Sequence, residues 1–114
     1  MTLGQETLLE QIQELLTAPT SGASAPSLAN LEETLTEGYA KAMALEAERW
    51  RLERRLGEVA RTLAGPDVSS FAEELAALAK RLTSAEGELS RLRVLLRSLH
   101  ERARSMRLAA QTAQ

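Results

Sequence analysis

The sequence predicts an all-α protein in which two long helices fold back on each other as an antiparallel coiled-coil hairpin. A short N-terminal helix precedes them, and the expected whole is an elongated three-helix bundle. Three observations carry this reading. Leu, Ala, Glu and Arg, all strong helix formers, dominate a chain that has only one Phe, one Trp and one Tyr, so the β-branched and aromatic residues that sheets favour are sparse. Two ladders of apolar residues advance in alternating steps of three and four. Between the ladders stands Gly65-Pro66, which stops one helix and turns the chain, since Gly suits the left-handed cap and Pro cannot continue the hydrogen-bond ladder.

The elements follow in order. Leu8, Leu9, Ile12, Leu15 and Leu16 recur at helical spacing, which predicts an amphipathic helix over 3–17, with Thr2 and Gln5 as a weak capping box. A helix of this length is marginal alone in water and must dock on something. Residues 18–27 hold Pro19, Pro26 and Gly22 among small polar residues; with nothing to bury, this reads as a flexible linker reaching at most ~35 Å. The first helix can therefore lie on its own bundle or reach out to a partner.

Ser27 is a good N-cap for a helix over 28–63, with Asn30, Glu32 and Glu33 near the unsatisfied amides of its first turns. Its seam runs through Leu28, Leu31, Leu35, Gly38, Ala42, Leu45, Arg49, Leu52, Leu56, Val59 and Leu63, broken only by Gly38 and Arg49. After a turn at 64–67, Ser70 and Glu73 form a capping box for the last helix, over 68–110. There the seam is Phe71, Leu75, Leu78, Leu82, Ala85, Leu89, Leu92, Leu96, Leu99, Ala103, Met106 and Ala110, apolar without exception. So short a connection makes the long helices antiparallel neighbours. The second outlasts the first by about two turns at ~3.6 residues each, so its end, from Leu99 to Ala110, needs cover from the first helix or from another molecule. A three-helix bundle and a dimer of hairpins both satisfy that need.

With 114 residues, residues 1–114 are expected to form a single helical domain. The formal net charge of −2 conceals a polarity: residues 1–48 hold eight acids against Lys41 alone, whereas residues 80–114 hold eight bases against three acids. The two ends attract, within one bundle or between chains.

Composition also excludes chemistry. There is no cysteine, hence no disulfide, thiolate nucleophile or Cys-bound zinc. His100 is the only histidine and lies between Leu99 and Glu101 on a helix, without a catalytic companion. Acid–arginine pairs such as Glu46 with Arg49, Glu48 with Arg51 and Glu101 with Arg104 have the i, i+3 spacing of a solvated helix face. No Gly-rich phosphate loop is present, so no enzyme activity, cofactor or metal is expected. No apolar run approaches the ~20 residues of a membrane span, and the acidic N-terminus is wrong for a signal peptide, which points to the cytoplasm. Nucleic acid is disfavoured because the domain is acidic and lacks stacking aromatics. The expected partner is a protein held by helix–helix packing, with a homodimer as the alternative. Tyr39, Met43 and Trp50 lie beside the first seam and are expected to receive the N-terminal helix; the other reading is a partner-binding patch.

The segments Leu45-Glu46-Ala47-Glu48-Arg49-Trp50-Arg51-Leu52-Glu53-Arg54-Arg55-Leu56 and Glu88-Leu89-Ser90-Arg91-Leu92-Arg93-Val94-Leu95-Leu96-Arg97-Ser98-Leu99-His100-Glu101-Arg102-Ala103-Arg104, in this order of elements, resemble the central and final helices of the FlgN family. These are flagellar type III export chaperones that escort hook-filament junction proteins. The family often has Asn where this chain has His100 and Ala103. The resemblance implies a non-catalytic chaperone that completes a helix bundle with an amphipathic segment of its cargo before export. It places the cargo face on the last helix, through Leu92, Leu96, Leu99, Ala103 and Met106, with Arg97, Arg102 and Arg104 on its rim.

Overall fold

A computed structural model describes residues 3–62 and 68–112 of the chain. It contains three helices and, among the described residues, no strand: α1 (Leu3–Thr17), α2 (Leu28–Arg61) and α3 (Val68–Thr112). The long helices α2 and α3 pack against each other. The predicted turn at 64–67, the seam residue Leu63 and the cap at Thr2 lie outside the described residues.

The start of α2 is the N-cap expected from sequence. The Asn30 N–H donates to Ser27 Oγ at 3.1 Å, and the Leu31 N–H to the Ser27 carbonyl at 3.2 Å, so the Ser27 hydroxyl satisfies one of the amides that a helix start leaves free. Before it, Gly22 takes a left-handed φ of 92° in a turn closed by the Ala25 N–H on the Gly22 carbonyl at 3.2 Å. At its other end α2 tightens: the Thr62 N–H (3.1 Å) and hydroxyl (2.9 Å) both donate to the Val59 carbonyl. One expectation is displaced. Helix α3 is already formed at Val68, so Ser70 lies inside its first turn instead of capping it.

Contacts divide the molecule into two units, one of Met1–Ala42 with Arg91–Gln114 and one of Met43–Ser90. In the second, only α2 and α3 meet. A two-stranded seam is narrow, and burial there is correspondingly intermittent. Leu45 and Leu89 are buried in it, and Leu52, Val59, Leu78 and Ala85 form a buried cluster against which Leu56, Phe71, Leu75 and Leu82 pack half-covered. Across this hairpin Arg55 Nη2 reaches Glu74 Oε1 at 2.7 Å, with Nε at 3.1 Å. The hydrogen bond and charge of Glu74 hold the Arg55 guanidinium above its ordinary pKa. A raised arginine pKa yields stability that is lost only at extreme alkaline pH. Both partners are well exposed, which makes the pair a weak brace.

Arg49 takes a core position of that seam. Its Nε is buried without a hydrogen-bond partner and stands 3.6 Å from Glu53 Oε1. An apolar side chain there would restore the ladder, and replacing a poorly served charge by a hydrophobe is commonly stabilising. Because the Arg49 side chain is about 38% exposed, the gain is discounted: Arg49→Leu is expected to stabilise the protein by roughly 1 kcal/mol, read as a higher urea midpoint. A lower midpoint would mean that the guanidinium is better solvated than its place in the seam implies.

In the first unit all three helices contribute. Leu8, Ile12 and Leu15 of α1, Leu31, Thr34, Leu35 and Gly38 of α2, and Leu92, Leu96, Leu99 and Ala103 of α3 are buried. Here α3 buries four consecutive seam positions, and α2 widens its buried face to i, i+3, i+4 and i+7. A face that broad contacts two helices. The third helix is what distinguishes this unit's core from the narrow seam of Met43–Ser90.

Gly38, a gap in the sequence ladder, has a packing reason. A Cβ at this position would collide with Leu96 Cδ2 and stand 3.3 Å from its Cγ. The missing side chain is the socket into which Leu96 fits.

Candidate helix-binding site

The three-helix unit holds every residue of the cargo face that the family resemblance implied. Leu92, Leu96, Leu99 and Ala103 are buried in the unit they share with α1. Met106 is half-buried, and Arg97 and Arg104 are exposed. The apolar stripe is buried within the chain. Tyr39, Met43 and Trp50 correct a second expectation: they do not receive α1, and are 47%, 70% and 60% exposed. Helix α1 instead buries Leu8, Ile12 and Leu15 within the first unit, where apolar surface leaves water.

Arg102 has the most specific role in the unit. Its guanidinium donates to the Leu16 carbonyl from Nη1 at 2.6 Å, and from Nη2 to the carbonyls of Ala18 and Pro19, the latter at 3.0 Å. The cause is visible in α1. A helix leaves its last carbonyls without donors, α1 has no basic residue in its last turn, and Pro19 brings no N–H. The Thr17 hydroxyl serves only the carbonyls of Gln13 at 3.0 Å and Glu14 at 3.3 Å. A positive planar fork from α3 therefore closes the negative end of α1. The family resemblance implied a place for Arg102 on the rim of a cargo face; within the chain it serves the end of α1. The overlooked signal was a helix followed by Pro with no cation of its own.

Charge adds to the fit. Arg107 Nε lies 2.9 Å from Glu32 Oε1, so the acidic N-terminal half and the basic C-terminal end attract within one chain. Helix α1 carries Glu6, Glu10 and Glu14 and no base, whereas residues 91–107 hold six arginines against Glu101. Next to the Arg102 latch a cleft of about 230 Å³ lies between Pro19, Thr20 and Pro26 on one side and Ser105, Met106 and Ala109 on the other.

The other unit offers a different surface. Met43, Ala47 and Trp50, spaced on one face of α2, are exposed, and Arg54 sits 5.1 Å over the Trp50 ring. That cation–π contact occupies one face of the only indole. Among the described residues no group of His, Cys, Asp or Glu is arranged to hold a metal ion, and no helix is long and apolar enough to cross a membrane. Comparisons with protein-family models, with curated proteins and with solved structures give no match to this chain.

Proposed function

We propose that this protein is a non-catalytic helical chaperone or adaptor that binds an amphipathic helix of a protein partner. The observation that carries the reading is the occupancy of the three-helix unit. A leucine stripe on α3 is buried in a unit it shares with a 15-residue helix too short to be stable alone, attached through a linker whose own composition buries little. Such a groove has the form of a helix-in-groove receptor. The resemblance of Leu45–Leu56 and Glu88–Arg104 to the FlgN family gives the partner a candidate identity: a hook-filament junction protein, kept unassembled in the cytoplasm until type III export.

Light scattering tests it. The purified chain is expected to be a monomer that forms a 1:1 complex when co-expressed with a hook-filament junction protein of the same genome. Failure with every such protein removes the flagellar assignment. A second reading, a structural coiled-coil protein that self-associates, is favoured by one observation, the exposed Met43, Ala47 and Trp50 on a single helix face. A stable homodimer that Trp50→Glu converts to monomer would replace the chaperone reading with this one.

A further inference from the structure

We infer that the groove beneath α1 is selective for an acidic amphipathic helix whose C-terminal end abuts Arg102, and that α1 is a tethered stand-in which the partner displaces. This rests on the helix-binding reading above and specifies the chemistry of the partner. The bound α1 shows what the groove accepts. Its buried residues Leu8, Ile12 and Leu15 are spaced i, i+4 and i+7, and Ile12 is wholly enclosed, as are Leu31 and Leu99 of the same unit. The partner must therefore bring large aliphatic side chains at that spacing.

Polarity and direction follow from Arg102. Its three contacts are all main-chain carbonyls at the end of α1 and the start of the linker. Carbonyls carry no side-chain information, so Arg102 reads the place where a helix stops and leaves the helix's residues to the apolar groove. A helix continuing past this point would hold its carbonyls in its own ladder and leave the guanidinium unserved. A helix with Lys or Arg in its last turn would set like charges together. The favoured ligand ends in uncapped carbonyls followed by Pro or a similar breaker, as α1 does at Ala18-Pro19.

Charge complementarity adds to the selectivity. The exposed residues Glu10 and Glu14 of α1 give its outer face a negative sign, and its unit partner α3 presents Arg91, Arg97 and Arg104 at exposed positions. An acidic helix is steered to this site, and a basic one is repelled.

The tether explains why the site is not open to every such helix. A short flexible linker holds its end at an effective concentration of roughly millimolar, and the ten residues between α1 and α2 fall in that range. A free helix with only α1's contacts competes poorly; one that buries more apolar surface before the same end at Arg102 competes well.

The test uses the full chain and a labelled peptide of residues 3–20 as the probe. In Ile12→Asp, a carboxylate at a fully enclosed position ejects α1, and the peptide is expected to bind at least ~100-fold more tightly than to the unaltered chain, as relief from an intramolecular competitor requires. Adding Arg102→Leu is expected to weaken that binding at least ~10-fold, the scale for hydrogen bonds from a charged donor. A peptide with Glu6, Glu10 and Glu14 changed to Lys is expected to bind more weakly still, with the difference shrinking in salt. Equal binding of both peptides, or no gain in Ile12→Asp while its helical circular dichroism persists, overturns the inference. Should Ile12→Asp fail to fold, Arg102→Leu alone decides by hydrogen exchange: α1 amides lose protection while those of Met43–Ser90 keep theirs, and unchanged α1 protection overturns the inference. The two readings fail separately. A 1:1 complex with a partner protein that neither substitution alters sinks this inference alone, whereas peptide binding with no protein partner sinks the function alone.

Discussion

Leu99→Ala is expected to lower the unfolding free energy by roughly 2–5 kcal/mol, the largest loss from any single truncation of the α3 seam. Leu99 is wholly enclosed and shares its unit with Ile12 and Leu31, which are equally inaccessible. Removing three carbon atoms there loses the transfer free energy and leaves a cavity that helices on either side cannot close without bending. Leu82, in the two-helix unit, is half-covered. Its truncation leaves a dent open to water, so Leu82→Ala should cost clearly less, about 1–2 kcal/mol by its smaller buried area. Urea denaturation followed by circular dichroism measures both. Equal costs would contradict the distinction between a seam closed by a third helix and a seam shared by two.

Gly38→Ala and Gly87→Ala should move stability in opposite directions although both place alanine in the middle of a long helix. Propensity alone favours each substitution by about 1 kcal/mol, since glycine loses more backbone entropy in a helix than alanine does. At Gly87 nothing lies within 4 Å of the new Cβ, so the full gain of roughly 0.5–1 kcal/mol is expected. At Gly38 the Cβ meets Leu96, which is itself buried and has packed neighbours to displace. Overpacking of this kind costs ~1–3 kcal/mol, more than propensity returns, and the net effect should be destabilising. A stabilised Gly38→Ala would mean that Leu96 has an alternative rotamer at little cost, and that the close helix approach is not specific.

These predictions also mark where sequence reasoning was sufficient. The ladders through Leu31 and Leu35 and through Leu92, Leu96, Leu99 and Ala103 were legible because a period of about 3.5 residues belongs to the chain itself. The Ser27 cap was legible for the same reason, since its partner amide is only three residues away. Gly38, by contrast, looked like a flaw in the ladder, because the side chain that fills its place lies 58 positions further along, at Leu96. Tyr39, Met43 and Trp50 looked like a landing site for α1 because an apolar residue reads alike whether covered or bare. Arg102 looked like a rim cation because nothing local to it records that a helix ending at Thr17 lacks its own donor.

The sequence by itself determined an all-α chain of three helices, the seams along its two long ones, and a charge polarity that draws its ends together. Tertiary structure decided which stretch of seam is closed by α1, which aromatic residues stay in water, and which arginine serves the end of another helix. The reason is one of range. Helix periodicity and capping are set by neighbours within about four residues, whereas cover, sockets and long-range caps depend on segments brought together only when the chain folds.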